Sequence, residues 1–504
     1  MKKIFSYLLM SLSLVACGDF DDVNQNPDTP SIVTPDFLAT RIILKTTESP
    51  ASKWFISDSW LVKQTSFTEH MEWFLYNKFE REDFKDYYHL TDAQKMLELS
   101  EANEALSEGE KNAYKALNLF IRSFIFYGTT MAMGDVPCSE AVKGESEGIF
   151  SPKYDTQEEV FTTILTDLTQ ASSLFGQATK LNGDPVYGGD VAAWQRAVNS
   201  FTLRVLNMLS KKQTVGTINV RSLFEQVAAQ PLMEKEGDSY RRVYEAGKSA
   251  QWYPFYFEKQ NFWTYPVMTS FLVDMMKDLK DNRLFYYMEP AEALSAVSES
   301  SFDAYSGVNP VLEYGQVQAE FTAGKHSAMN KRYHHLAQGE PVKFIAYSEI
   351  QFILAEAALR GWKTPQSAKE HYEKGVRAAM SFTAENTPEE FQHGVTIDEA
   401  YIESYLKGKA AFDEKRGLEL VMQQKFLGSL FQLPLNSYYD YRRTGYPVIP
   451  IDPATNMNEV KTQLPVRWMY PDEEYSQNRA NIEEAIQRQY GGSDTPNDVM
   501  WLLK

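Results

Sequence analysis

Apolar and small residues recur at helical intervals in long segments, and this periodicity restricts the possible folds more than any other feature. The clearest segments cover residues 114–128, 161–175, 194–209 and 347–358. In each of them the side chains fall three or four residues apart, which places them on one face of an α-helix. Further helices are predicted near 366–383, 396–410 and 413–431. Because the helices follow one another in pairs, the pattern predicts a mostly α-helical fold of stacked hairpins of the tetratricopeptide type.

The segment from about residue 232 to 345 interrupts this helical pattern. It has little periodicity and many turn-forming residues, and it contains the strings WYP at 252–254 and WTYP at 263–266. Long irregular segments inside a regular fold are often binding segments. We therefore expect a large, loop-rich insertion that carries a ligand-binding surface.

The charge balance excludes one class of partner. The chain has 50 Lys and Arg residues against 68 Asp and Glu residues, so its formal net charge is −18. Nucleic acids are bound through clusters of basic residues that neutralise phosphates, and a basic patch is also what docks a protein on anionic lipid. We therefore expect no nucleic-acid partner and no membrane contact through a basic surface.

The N-terminus has the features of a targeting segment. Lys2 and Lys3 precede the apolar residues 4–16, a stretch that is too short to span a bilayer but has the length of a signal-peptide core. It ends in LVAC, which resembles a bacterial lipobox, so Cys17 is the predicted site of lipid attachment through diacylglycerol and fatty acid such as palmitate. The alternative is a chance cysteine after an ordinary signal peptide. The sequence thus predicts a lipoprotein signal peptide at 1–16 and a lipid anchor with a polar tether at 17–36.

Metalloprotease, dinucleotide-binding and phosphate-binding motifs are missing from the sequence. There is no HExxH or GxGxxG string, and the string GKS at 247–249 fails as a phosphate-binding loop because Arg242 stands where its first glycine is needed. Two cysteines exclude a disulfide framework. Since carboxylates are plentiful, a pair of glycosidase type stays possible. We predict no catalytic residue, no metal site and no resident cofactor, and leave open a structural calcium ion held by loop oxygens.

Aromatic residues cluster in loops and give the candidate binding site. A flat aromatic ring can stack on the apolar face of a sugar while polar neighbours bond its hydroxyls. The candidate ligand-binding residues are Trp73, Tyr76, Trp252, Tyr253, Trp263 and Tyr265. The alternative for each ring is that it covers the hydrophobic core beneath a loop.

Several short strings, taken together and in order, resemble one family. They are FDDVNQNP at 20–27, DNRL at 281–284, YSGVNP at 305–310, YSEIQFILAEAA at 347–358, GW at 361–362, QK at 424–425, DYRRTGYP at 440–447 and RWMYP at 467–471, followed by Asn478 and Asn481. In this arrangement the chain resembles the SusD/RagB lipoproteins of Bacteroidota, and more closely the SusD-like group with an RRTG-type segment.

The resemblance implies a fold and a function. The fold would be one domain over residues 37–504, with four tetratricopeptide-like hairpins and a loop-rich binding face. The protein would be a surface-exposed lipoprotein of the outer membrane that binds oligosaccharides, or peptides in some members, without catalysis. It would act as a lid on a SusC-like TonB-dependent transporter. Residues 18–22 look like the acidic surface-export signals of Bacteroidota, with a merely soluble tether as the alternative.

Two other classes of function stay open beside this one. They are a surface hydrolase, acting on glycosides or peptides, and a purely structural lipoprotein. Within the RRTG segment, Arg442 and Arg443 are flanked by Asp440 and are expected to form a structural clamp through buried ion pairs.

Overall fold

The structure, a computed structural model, describes residues 33–84, 86–259 and 263–504, in which nineteen α-helices and six short β-strands occur. The helices are α1 (Pro35–Thr46), α2 (Ser57–Leu61), α3 (Tyr88–Ala102), α4 (Glu108–Met133), α5 (Gly144–Glu147), α6 (Gln157–Phe175), α7 (Val191–Met208), α8 (Val220–Ala228), α9 (Ser270–Leu279), α10 (Arg283–Tyr287), α11 (Tyr314–Thr322), α12 (Arg332–His335), α13 (Tyr347–Leu359), α14 (Ala368–Glu385), α15 (Glu399–Tyr405), α16 (Gly417–Leu427), α17 (Pro434–Thr444), α18 (Asp472–Gln477) and α19 (Arg479–Tyr490). Among the described helices, none is both long and apolar enough to cross a membrane.

The predicted signal peptide and Cys17 lie outside the described residues, so both stay predictions. The predicted tether is described only from residue 33 onward. Its last two residues already belong to helix α1, which begins at Pro35. Proline is favoured at the first position of a helix, because its missing N–H would have no partner there.

The mostly α-helical fold is confirmed. The four clearest periodic segments correspond to α4, α6, α7 and α13, with Leu209 one residue beyond the end of α7, and the predicted helix near 366–383 is α14. Helices α15 and α16 are shorter than predicted and end before Gly408 and Gly428, residues that disfavour a continuing helix.

Local sequence sets the starts of the long helices. Three of them begin at a capping box, in which a Ser or Thr and a Glu three residues later satisfy each other's free backbone N–H groups. The pairs are Ser107 with Glu110 for α4, Thr156 with Glu159 for α6, and Ser367 with Glu370 for α14. Helix α7 has Asp190 as its N-cap instead, and the Asp190 carboxylate accepts two backbone N–H groups of the first turn.

Successive long helices pack against each other, α1 with α3, α4 with α6, α7 with α8, and α13 with α14. Their apolar faces join one main core that runs from Leu38 to Leu502. Cys138 lies in this core, where burial raises the pKa of its thiol to about 12. A buried cysteine of this kind behaves as a small apolar side chain.

Short antiparallel strand pairs occur in the structure, and two of the three involve the irregular segment. The strands are β1 (Thr65–Phe67), β2 (Thr214–Val215), β3 (Ile218–Asn219), β4 (Tyr240–Arg242), β5 (Pro266–Met268) and β6 (Val342–Ile345). Strand β4 pairs with β6, so the beginning and the end of the irregular segment meet. Strand β5 pairs with β1, which brings the middle of the segment to the loop after α2.

The irregular segment contains four short helices, α9 to α12, that the sequence analysis missed. Helix α9 has only ten residues, and its buried positions include Leu272, Met276 and Leu279. This spacing is helical, but the run is too short to stand out from the turn-rich sequence around it. Asp281 and Arg283, from the DNRL string, form a fully buried ion pair between α9 and α10, with Nη2 to Oδ2 at 2.5 Å.

A buried network of charged side chains joins α7, α13, α16 and α17. Arg443 on α17 binds Glu356 on α13 through both of its terminal nitrogens, and Nη2 lies 2.9 Å from Oδ1 of Asp440. Lys425 on α16 reaches the other oxygen of Asp440 at 2.6 Å. The predicted clamp at Arg443 is therefore present.

The network continues through Glu349, seven residues before Glu356 on the same helix. Nε of Arg204 on α7 donates to Glu349 at 2.9 Å, and Nη2 of Arg204 donates to the carbonyl of Phe344 in β6 at 2.8 Å. The predicted ion pair is not found for Arg442 among the described residues, because its guanidinium donates instead to the backbone carbonyls of Val466 and Met131.

The ionised form of Glu356 is strongly favoured in this surrounding. Burial alone would raise the pKa of its carboxyl, but the charges and hydrogen bonds of Arg443 and Arg360 outweigh it and hold the pKa at about 2. The folded-state pKa is thus below the ordinary value of 4.5. The resulting stabilisation is present above that ordinary value and is lost as the pH falls toward 2.

Glu356→Gln should lower the free energy of unfolding at neutral pH by about 3–5 kcal/mol, because it removes the carboxylate that binds both terminal nitrogens of buried Arg443 and leaves that guanidinium with Asp440 as its remaining acidic partner. Urea denaturation at pH 7 and at pH 3 measures the free energy of unfolding of both proteins. The difference between the variant and the unsubstituted protein should be smaller at pH 3. The control is Glu483→Gln in the exposed pair with Arg479, for which a loss below about 1 kcal/mol is expected. Equal losses in the two variants would contradict the role of the network.

Candidate ligand-binding site

A groove of about 740 Å³ lies between helix α1 and the segment 242–259 that follows strand β4. Phe37 and Arg41 line it on the α1 side, and Arg242, Trp252 and Lys259 line it on the other. Ligand cavities in proteins typically measure roughly 300–1,000 Å³. The groove, named here the α1 groove, is therefore large enough for a short oligosaccharide.

The amphipathic sequence of α1 explains why this helix forms one wall. Leu38, Ala39 and Ile42 are buried against the core. Phe37 and Arg41 lie one helical turn apart on another face, and the Phe37 side chain is 56% exposed. An exposed phenylalanine beside an arginine offers both apolar surface and hydrogen-bond donors to a ligand.

Trp252 is the one predicted site residue that lines the α1 groove. Its Nε1 donates to the carbonyl of Ala246 at 2.8 Å, and its ring meets that of Tyr256 edge to face with centroids 5.0 Å apart. Nζ of Lys259 donates to the Trp252 carbonyl at 2.9 Å. These contacts hold a half-buried ring at the groove in a defined orientation.

The basic side chains of the groove fall into two groups. Arg41 lies 3.1 Å from Asp92, and Lys45 lies 2.7 Å from Glu48, which raises the pKa of Lys45 through the hydrogen bond and the opposite charge. On the opposite wall, burial and then the nearby charge of Arg242 lower the pKa of Lys259. Two cations thus stand close together on that wall.

A second cavity, of about 510 Å³, adjoins the α1 groove. Residues 48–50 line both, so this short loop separates them. The second cavity has the aromatic residues Trp54, Phe74 and Trp468 in its walls, together with carboxylates such as Glu82. It opens between the helical frame and the loop after α2.

Tyr76 and Tyr253, two predicted site residues, are placed in the core rather than on a binding surface. The Tyr253 ring is fully buried, and its backbone N–H donates to Ala337 at 2.7 Å. Tyr76 is 4% exposed and donates its hydroxyl to the carbonyl of Leu312 at 2.9 Å. For these two rings the structure matches the alternative interpretation, in which they cover the core.

The other three predicted rings lie away from the α1 groove. The pairing of β1 with β5 brings the loop of Trp73 toward Tyr265, whose carbonyl accepts the N–H of Thr68 at 3.1 Å. Trp73 is 43% exposed and has Nζ of Lys78 at 3.4 Å from its ring centre. Trp263 stacks on His334 with centroids 4.5 Å apart. A ligand-binding role for these rings stays a prediction.

Several groove residues were missed by the sequence analysis. Phe37 and Arg242 are separated by about two hundred positions, and only the packing of β4 and its following loop against α1 brings them together. One signal in the sequence could have pointed to the groove. Phe37 is an apolar residue on the solvent face of α1, and an exposed apolar residue on a helix can indicate a binding surface.

Metal binding has no support in the described part of the chain, where no group of three or more His, Cys, Asp or Glu side chains is arranged to hold an ion. The expectation of no resident cofactor, with a structural calcium ion left open, stays a prediction.

The fold is similar to that of solved structures, two of which come from Bacteroides fragilis. A SusD homologue from Bacteroides fragilis is 41% identical with a TM-score of 0.89, and the match covers 94% of this chain and 100% of that one. A second SusD homologue from the same species is 30% identical with a TM-score of 0.82, and the match again covers 94% of this chain and 100% of that one. A chitin-binding protein has the same fold at 23% identity, with a TM-score of 0.73, over 94% of this chain and all of its own. A search of curated proteins gave no match.

The sequence also matches a family model. The model is described as SusD-like, starch-binding and associating with the outer membrane, and it matches residues 27–471. This range contains the helical frame up to α17, the irregular segment and the α1 groove. The chain therefore belongs to the SusD-like family of nutrient-binding proteins that associate with the outer membrane.

Proposed function

We propose that the protein is a cell-surface lipoprotein that binds oligosaccharides in the α1 groove and passes them to a TonB-dependent transporter. The observation that carries the proposal is the groove itself, which combines Trp252 and Phe37 with polar and charged side chains in a member of a starch-binding family. Such a mixture suits sugars, whose rings have apolar C–H faces and hydroxyl edges.

Binding would use two kinds of contact. The ring of Trp252 offers a flat apolar surface on which a sugar ring can stack. Thr40, Arg41 and Gln251 also line the groove and can bond the hydroxyl groups. Neither contact changes a covalent bond, so the protein acts by capture and not by catalysis.

Delivery would depend on the lipid at Cys17. Two or more acyl chains hold a protein at a membrane far more firmly than one. A chain tethered in this way can cover a transporter of the SusC type and close over it with its ligand. The transporter, driven by TonB, would supply the energy of import.

The same experiments also test two alternative functions. Some members of the family type bind peptides, and an open groove with both apolar and charged walls could accept an extended peptide. A surface glycoside hydrolase is the second alternative, because carboxylates line the adjoining cavity of about 510 Å³.

Isolation of the lipidated protein from outer membranes tests the partnership. We expect a TonB-dependent transporter to co-purify with the full chain. Cys17→Ala, which removes the predicted lipid site, should leave the protein out of the membrane fraction. Purification of the full chain without a transporter would contradict the lid function. Release of shorter sugars during incubation with oligosaccharides would instead favour the hydrolase.

Trp252→Ala should weaken oligosaccharide binding about tenfold, since the loss of one stacked ring costs roughly 1.4 kcal/mol. Calorimetric titration of residues 18–504 with malto-oligosaccharides and chito-oligosaccharides measures this, with a peptide mixture as the comparison. Phe150→Ala is the matched control, because Phe150 is an aromatic residue that is 84% exposed and does not line the groove.

The variants Trp73→Ala and Trp263→Ala show whether the ligand binds in the α1 groove or at the other predicted rings. If the groove is the binding site, both variants should keep most of the affinity for oligosaccharide. Loss of affinity in these two variants, with Trp252→Ala unaffected, would place the binding site at the β1 and β5 loops instead.

A further inference from the structure

Two basic residues, Arg242 and Lys259, stand together on one wall of the α1 groove. Arg242 is the last residue of β4 and is paired in register with Val342 of β6, so its backbone is held by the sheet. Lys259 lies at the end of the same loop, fixed by the hydrogen bond of its Nζ to the Trp252 carbonyl. Both side chains line the groove beside the Trp252 ring.

Neither cation is matched by a carboxylate among the described residues. Nη1 of Arg242 is buried without a hydrogen-bond partner there. The acidic residues of the same loop are engaged elsewhere, since Glu245 pairs with Lys248 at 3.0 Å and Glu258 accepts the hydroxyl of Tyr256 at 3.3 Å. Across the groove, Arg41 and Lys45 have carboxylate partners in Asp92 and Glu48.

An unmatched pair of partly buried cations is unfavourable in the free protein. Each charge loses hydration, and the two repel each other, which is why burial and Arg242 together lower the pKa of Lys259. An anion placed between them would relieve both effects. The guanidinium group of arginine is well suited to bind the two oxygens of a carboxylate or a sulfate.

We propose that Arg242 and Lys259 form a subsite for the carboxylate or sulfate group of an acidic oligosaccharide, whose sugar ring stacks on Trp252. This inference rests on the proposed function, because it names the class of oligosaccharide that the groove binds. The net charge of −18 adds a reason. Most of the surface would repel an acidic glycan, so its capture requires a local positive site.

Calorimetric titration of residues 18–504 with three probes of equal length tests the subsite. The probes are an oligogalacturonate for carboxylate, a chondroitin sulfate oligosaccharide for sulfate, and a malto-oligosaccharide as the neutral reference. We expect at least one acidic probe to bind at least tenfold more tightly than the neutral one. Its affinity should fall when the salt concentration rises from 50 to 200 mM, as expected for roughly two charge contacts.

Variants assign the effect to the two cations. Arg242→Gln and Lys259→Gln should each reduce the affinity for the acidic probe at least tenfold and reduce the affinity for the neutral probe much less. A small loss for the neutral probe is expected in Lys259→Gln, because Nζ of Lys259 also donates to the Trp252 carbonyl. Arg242→Lys, which keeps the charge, should retain a larger part of the affinity. Lys369→Gln, at an exposed lysine on α14 that pairs with Glu373, is the matched control and should change nothing. Melting temperatures show whether each variant is folded.

The outcomes separate this proposal from the proposed function. Equal affinity for acidic and neutral probes, or acidic affinity that survives both Gln variants, would overturn the subsite and leave oligosaccharide binding in place. Binding of none of the three sugars would overturn the proposed function and the subsite with it.

Discussion

A buried ion network fixes the arrangement of four helices in the frame, and its members are Arg204, Glu349, Glu356, Lys425, Asp440 and Arg443. Charged groups inside a protein are tolerated only when each meets a partner in good geometry. Four helices, α7, α13, α16 and α17, must therefore hold one relative arrangement. Two of the strings on which the family resemblance rests, at 347–358 and 440–447, supply most of these residues.

The network also reaches the candidate site through a continuous path. Arg204 donates to the carbonyl of Phe344 in β6, β6 pairs with β4, and β4 ends at Arg242 in the wall of the α1 groove. The opposite wall, helix α1, is fixed by its buried face. The groove thus lies between a helix fixed by its buried face and an irregular loop that begins at a paired strand. Loops held by a rigid scaffold often carry binding residues.

Sequence reasoning succeeded where a local pattern carries the information. Helical periodicity predicted the long helices. Asp440 and Arg443, three residues apart, predicted one end of the ion network, whereas Glu356, the other partner of Arg443, could be identified only from the structure. The groove could not be predicted in this way, because Phe37 and Arg242 meet through tertiary packing. The neighbours Trp252 and Tyr253 show the same limit. Trp252 lines the groove, whereas Tyr253 is fully buried. An irregular segment has no helical or strand periodicity from which the exposed and the buried side chain could be distinguished.

The central claim is that the α1 groove receives an oligosaccharide. A crystal structure of residues 18–504 with a bound oligosaccharide tests it most directly, with the ligand chosen as the tightest binder from titration. We expect a sugar ring stacked on Trp252, between α1 and the segment 242–259. A well-ordered sugar bound elsewhere, with the α1 groove empty, would contradict it.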